Sequence, residues 1–118
     1  MTQPITTTQP TDEADVPQGA IPTLLAAIVR ERTVTATYNR GAVTLAPHVL
    51  YTRHDALHLD AITLQRDGRA PREVKLATYK LDGLGDIQIA DGGFRPSPLF
   101  APAAERYAGV TLMAVEPG

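Results

Sequence analysis

The chain is short, and its composition excludes several classes of protein. It has 118 residues, enough for one domain, and a net charge of −2 at pH 7. Without cysteine it forms no disulfide, thiolate metal site or cysteine nucleophile. No apolar stretch approaches the ~18–20 residues that span a membrane, and the N-terminus lacks the basic start and apolar run of a secretory signal. We therefore expect a cytoplasmic protein without a membrane span.

The charges are distributed unevenly along the chain. Residues 1–20 carry three acidic groups and no basic one, whereas residues 21–100 carry ten basic and eight acidic groups. A generic nucleic-acid-binding domain has an isoelectric point above ~9, which this balance does not give. The basic side chains are concentrated locally, at Arg66, Arg69, Arg72 and Lys75.

A disordered leader and then a helix are predicted at the N-terminus. Residues 1–19 are rich in threonine, glutamine, proline and acidic side chains and have too few apolar ones to fold. Pro22 suits the first turn of a helix, which we predict over about residues 22–31. Such a short helix must pack on another element. Its apolar face is formed by Leu24, Leu25, Ile28 and Val29.

After the helix, the hydrophobic period changes from 3.6 to 2, which predicts strands. The alternate side chains Val43, Leu45, Pro47, Val49 and Tyr51 are expected to share one face, with Pro47 marking an edge or a bulge. Asp67-Gly68 is the strongest hairpin pattern. The other predicted strands are Thr33–Tyr38, Leu57–Ala61, Glu73–Leu81 and Ile87–Ile89, with turns at 39–41, 53–56, 83–85 and 91–93.

About five short strands with turns every 8–12 residues indicate a small barrel or sandwich. A barrel is favoured because it hides the strand edges. We predict an all-β fold over residues 20–100 with an N-terminal α-helix. Residues 101–118 form a C-terminal extension with a helical turn at 103–108. Its apolar run Val110–Val115 either adds a strand to the barrel or docks on a partner, and the first is favoured because a free apolar strand promotes aggregation.

The order of these features resembles the WYL domain. The family has a short helix, a strand ending in tyrosine, a proline-containing strand, the Trp-Tyr-Leu strand, an aromatic-x-Leu-Asp-Arg-Ile segment and a closing phenylalanine. The resemblance implies an SH3-like or Sm-like barrel of about five strands and a regulatory module for ligand or nucleic acid in transcriptional regulation. The matching segments are Leu24–Tyr38, Leu45–Tyr51, Ala56–Ala61, Thr78–Ile87 and Gly92–Phe94.

Two departures from the family pattern concern the ligand pocket. Leu57-His58-Leu59 stands in place of Trp-Tyr-Leu, so that only the final leucine matches, and Gly83 stands where the family has arginine. The family's ligand-sensing pocket includes these positions. The winged-helix DNA-binding domain that usually precedes a WYL domain has no counterpart here. We therefore expect a diverged, stand-alone module.

The first candidate binding site is the basic hairpin formed by Arg66, Arg69, Arg72 and Lys75. Arginine forks suit phosphate groups, and small barrels bind single strands through grooves with aromatic side chains. Tyr38 and Tyr79 are expected in the core or at its edge. The other aromatic side chains are Tyr51, Tyr107, Phe94 and Phe100. The alternative is that the arginines only solubilise the tip of a hairpin.

The second candidate is a small-molecule site on one outer surface, lined by His48, Tyr51, His58 and Lys80; its alternative is a set of unrelated surface side chains. His58 and Asp60 lie two apart on a strand and share a face. Two ligands are too few for a metal site, and a nucleophile is lacking. We therefore expect an exposed His–Asp pair, no metal or other cofactor, and no enzymatic activity.

Two functions remain open from the sequence. The first is a WYL-like regulatory module that binds nucleic acid, a nucleotide or another ligand. The alternative is a protein-interaction or assembly module, in which Val110–Val115 binds a protein partner or a second copy and the family pocket has been lost.

Overall fold

The computed structural model describes residues 19–116, which form one helix and six strands. These elements are α1 (Ala20–Arg30), β1 (Arg32–Tyr38), β2 (Gly41–Arg53), β3 (Ala56–Arg66), β4 (Leu76–Lys80), β5 (Leu84–Gly93) and β6 (Thr111–Ala114). Two 3-10 turns lie at Leu81–Gly83 and Glu105–Tyr107. The mostly-β architecture with an N-terminal helix is confirmed. Apart from Gly19, the predicted leader lies outside the described residues. Within the described range, no helix has the length and apolarity needed to cross a membrane.

Helix α1 packs on the sheet through a narrower stripe than predicted. Leu24, Ala27 and Ile28 are buried, whereas Val29 is 64% exposed. Val29 follows Ile28 and is rotated about 100° around the helix from it, beyond the stripe that meets the sheet. The helix ends at Glu31, which has a left-handed φ of 54° and donates its N–H to carbonyls of the last turn.

The sheet is strongly curled. Its antiparallel strands run in the order β4-β3-β2-β1-β5, and β6 also pairs with β2. A flat sheet would separate β4 from β5 by roughly 19 Å, but the chain from Lys80 to Leu84 spans at most about 14 Å. Tyr38 of β1 and Tyr79 of β4 meet across the inside, with ring centroids 4.9 Å apart. Among the described residues β4 and β5 are not paired, so the sheet is curled without being closed.

The tight turns follow the chemistry expected of them. Asn39-Arg40 and His54-Asp55 all have positive φ, as in the type I′ turns that match the twist of a hairpin. Asp67-Gly68 closes the Arg66↔Arg69 bridge. These three predicted turns are confirmed. The predicted strand 73–81 is shorter, because residues 70–75 leave the ladder and β4 begins at Leu76.

Strand β2 carries a bulge at His48. The register passes from Pro47↔Ala61 to Val49↔Asp60, so His48 has no opposite residue on β3. The prediction that Pro47 marks a bulge is confirmed.

The bulge reverses the faces of the strand beyond it. Leu45 lies opposite Thr63 and Leu50 lies opposite Leu59. Because Thr63 and Leu59 are an even number of residues apart, Leu45 and Leu50 both face the inside of the sheet. Tyr51 therefore faces outward. The prediction that alternate side chains of residues 43–51 share one face is wrong.

The outer face of β2 and β3 is covered by residues 94–116, which we call the C-terminal segment. Strand β6 pairs with residues 49–51 of β2, and the Val115 N–H donates to the His48 carbonyl at 2.8 Å. Phe100, Tyr107 and Val115 are buried. The favoured prediction, that Val110–Val115 docks on its own chain, is confirmed.

Candidate binding sites

The predicted basic hairpin lies at one end of the sheet, beside the β1–β2 turn. The Asp67 N–H donates to the Ala42 carbonyl at 2.7 Å, and the Ala42 N–H donates to Asp67 Oδ1 at 3.0 Å. These bonds join the two turns and bring Arg40 to the same end. We call this region the basic end; its exposed cations are Arg40, Arg66, Arg69, Arg72 and Lys75.

Positive charge dominates the basic end. Its carboxylates are Asp67 and Glu73, so five cations stand against two anions. The Asp67 carboxylate is also hydrogen-bonded to the backbone. A β-carbon at Gly41 would lie 3.2 Å from both carboxylate oxygens of Asp67. The close approach of the two turns therefore favours glycine at this position.

Tyr38 gives the basic end an aromatic surface. The guanidinium carbon of Arg66 lies 5.8 Å from the centroid of its ring, within cation–π range. Tyr38 is half-buried, whereas Tyr79 is 5% exposed and shares a hydrogen bond with the Thr63 hydroxyl. The prediction that both tyrosines lie in the core or at its edge is confirmed: Tyr79 is in the core and Tyr38 packs against it.

The second predicted site, formed by His48, Tyr51, His58 and Lys80, does not form one accessible surface. Tyr51 and His58 lie opposite each other with stacked rings 5.9 Å apart, and His58 lies opposite Lys80. His48 is fully buried at the bulge. The expectation that His48 and His58 form one accessible surface is therefore wrong, because residues of the C-terminal segment cover His48. Tyr51 is only 1% exposed, so of the four predicted residues His58 and Lys80 are the accessible ones.

Both ring nitrogens of His48 have partners. Nδ1 donates to the Ala46 carbonyl at 2.8 Å, and Nε2 accepts from the Ser97 N–H at 2.9 Å. The ring packs against Phe94 and Phe100, with centroids 5.1 and 5.7 Å away. Burial lowers the pKa of His48 below its ordinary value of 6.5. The neutral ring therefore fastens the C-terminal segment to β2.

The lowered pKa of His48 makes stability depend on pH. The unfolded chain takes up the proton first, so the free energy of unfolding falls as the pH drops below about 6.5 and levels off below the folded-state pKa. The limiting slope is about 1.4 kcal/mol per pH unit. We expect His48→Asn to abolish this component in urea unfolding between pH 7.5 and 5.5. The exposed control His54→Asn should keep the parent slope; an unchanged slope in H48N would contradict the assignment.

A buried carboxylate, missed from the sequence, lies beneath the C-terminal segment. Asp60, expected in an exposed pair, is 0% exposed. Its Oδ1 accepts from the Tyr51 hydroxyl at 2.8 Å and the Thr78 hydroxyl at 2.7 Å. Its Oδ2 accepts from the Tyr107 hydroxyl at 2.5 Å and from Arg106 Nη2 at 3.0 Å. We call these five residues the Asp60 centre.

The electrostatics of the Asp60 centre keep its hydroxyls protonated. Burial, reinforced by the hydrogen bond to Asp60, raises the pKa of Tyr107 to about 12, and burial also raises the pKa of Tyr51 above 10. Arg106 Nη2 donates to the Tyr107 oxygen at 2.6 Å as well. The centre therefore acts as an anchor between the sheet and the C-terminal segment. The only local sign of it in the sequence is a polar residue inside an apolar strand.

Two further features bear on function. No three histidine, aspartate or glutamate side chains within residues 19–116 are arranged to hold a metal ion. An open groove between the start of α1 and the β2–β3 turn is lined by apolar side chains with Asp55 and Asp82. Its two carboxylates disfavour an anionic ligand, and none of the predicted site residues lines it.

Comparison with known proteins gives no significant match. No family model matches the chain, and neither a curated protein nor a solved structure does.

Proposed function

We propose that this protein is a small-barrel, WYL-like regulatory module that binds single-stranded nucleic acid through its basic end and acts in transcriptional regulation. The observation that carries this proposal is a set of five exposed cations on two hydrogen-bonded turns and the adjoining residues 70–75, with Arg66 beside the half-buried Tyr38. Guanidinium forks pair with backbone phosphates, and an aromatic surface stacks on bases irrespective of their sequence. Single strands suit this surface better than duplex DNA because their bases are free to stack.

The curled sheet supports the small-barrel part of the proposal. The strand order and the short connection from β4 to β5 are those required to roll five strands towards closure. An SH3-like or Sm-like barrel satisfies this geometry.

Gly83, which stands where the WYL pattern has arginine, lies close to Tyr38 of the basic end. A β-carbon at Gly83 would lie 3.4 Å from the Tyr38 ring. Arg66 places its guanidinium over that ring from a different strand. In the proposed module, Arg66 supplies positive charge close to the position that lacks the family's arginine.

The test is a matched pair of charge reversals. Arg69→Glu with Arg72→Glu is expected to weaken binding of a fluorescein-labelled oligothymidine at least about tenfold, because two phosphate contacts become repulsive. Arg30→Glu with Arg95→Glu makes the same change in net charge at exposed positions outside the basic end and should shift affinity much less. Fluorescence anisotropy at low salt measures both. Equal affinities of the two double variants would reject the basic end as the binding surface.

The alternative function has weaker support. Assembly through Val110–Val115 requires a strand available to a partner, but β6 is paired with β2 of its own chain.

A further inference from the structure

We propose a second binding site, for the phosphate group of a phosphomonoester, formed by Lys80, Arg106 and His58 on the outer face of the sheet. It lies where β3 and β4 meet the C-terminal segment and shares no residue with the basic end. It does not rest on nucleic-acid binding.

Strand register brings these side chains together. His58 and Lys80 are directly opposite on β3 and β4, so their β-carbons are about 5 Å apart on one face. Asp60 and Thr78 form the next pair on that face, one two-residue step of about 7 Å along the strands. Because Arg106 is bonded to Asp60 at 3.0 Å, its guanidinium lies on the same face as His58 and Lys80, next to the neighbouring residue pair.

Arg106 is held in place by contacts that engage only one of its three guanidinium nitrogens. Its Nη2 is bonded to Asp60 and Tyr107, and its guanidinium lies 4.8 Å from the Tyr107 ring centroid. The side chain is nevertheless 52% exposed. Nε and Nη1 donate to no atom of the described residues. A guanidinium fixed in advance loses little conformational freedom when it binds an anion.

Lys80 and His58 are also available to a ligand. Lys80 is exposed and has no carboxylate within ion-pair distance among residues 19–116. The ring of His58 is stacked on Tyr51, and its Nδ1 donates to the Ala56 carbonyl at 3.1 Å. This bond leaves Nε2 of a positioned ring for a ligand.

The charge and spacing select a phosphate. Asp60 is the carboxylate that Arg106 contacts, and its charge is already shared by three hydroxyls and Arg106. Lys80 has no ion-pair partner among residues 19–116, which favours an anion. A tetrahedral phosphate can accept charge-assisted bonds of about 2.8 Å from an ammonium on one side and a guanidinium on the other. A carboxylate is narrower and has fewer acceptor oxygens.

The test is an NMR titration of the full-length, ¹⁵N-labelled chain with inorganic phosphate at constant ionic strength. We expect saturable shifts of the amides at residues 58–60, 78–80 and 105–107. Lys80→Gln should weaken this binding about tenfold. Lys75→Gln removes the same charge from the basic end and should leave it unchanged.

Two further titrations test whether the site prefers phosphate to a carboxylate and whether Arg106 contributes to binding. Arg106→Lys keeps a cation beside Asp60 but removes the fork, and it should weaken phosphate binding several-fold while the amide spectrum stays that of the folded chain. Acetate at the same concentration should give no saturable shifts at these residues. The proposal is overturned if K80Q binds phosphate as tightly as the parent, if the shifts fall only in the basic end, or if acetate reproduces them.

Discussion

Deleting residues 109–118 is expected to unfold the domain or to lower its free energy of unfolding by at least about 4 kcal/mol. The deletion removes β6 and its ladder with β2, including the Val115 N–H bond to the His48 carbonyl. It also uncovers apolar surface, because Val115 is only 3% exposed. Each lost ladder bond costs about 1 kcal/mol and each buried aliphatic side chain about 1.5–3 kcal/mol. Circular dichroism and urea unfolding measure the loss.

If the shortened chain fails to fold, point variants in β6 and at Val115 still test whether this strand contributes to the core. Val115→Ala is expected to lower the free energy of unfolding by about 1–3 kcal/mol. Leu112→Ala, on the same strand but at a side chain that is 52% exposed, should change it by less than about 0.5 kcal/mol. A folded, equally stable deletion variant would mean that β6 is not part of the core.

Replacing Asp60 with alanine is expected to cost about 2–5 kcal/mol of unfolding free energy. The substitution leaves the buried hydroxyls of Tyr51 and Tyr107 without their acceptor, and an unsatisfied buried polar group costs about 1–3 kcal/mol. The Thr78 hydroxyl also loses its acceptor, but Thr78 is exposed and can bond water. Arg106 contributes less, because its side chain is half exposed and solvent screens it. Urea unfolding at pH 7 measures the difference.

Asp91→Ala is the matched control for D60A. Asp91 is exposed, so its loss should change the free energy of unfolding by no more than about 0.5 kcal/mol. If D60A fell within the same limit, Asp60 would not anchor the C-terminal segment.

Local chemistry made much of the fold predictable. Turn residues such as Asp67-Gly68 fix hairpins through a short stretch of backbone, and Pro47 disrupts a ladder wherever it occurs. The apolar side chains of Val110–Val115 are stabilised by burial, and pairing with a strand edge of the same chain buries them without a partner. These predictions depend on few neighbours in space, which is why the sequence alone supports them.

Features that depend on contacts between residues far apart along the chain could not be predicted from the sequence. A period-2 pattern assumes an unbroken ladder, so the extra residue at His48 reversed the faces of Val49 and Tyr51. The partners of Asp60 come from β2, β4 and the 3-10 turn near residue 106, and no spacing along the chain relates them. Arg40 joins the basic end only because two turns share hydrogen bonds.

A salt titration of oligonucleotide binding tests the proposed function most directly. Anisotropy of labelled single-stranded and duplex oligonucleotides would be measured at several salt concentrations. We expect tighter binding of the single strand, with log affinity falling linearly with log salt at a slope of about −0.7 per phosphate contact. Three or four contacts at the basic end would give a slope of about −2 to −3. Absence of binding at low salt, where charges are least screened, or an affinity that does not change with salt would contradict the proposal.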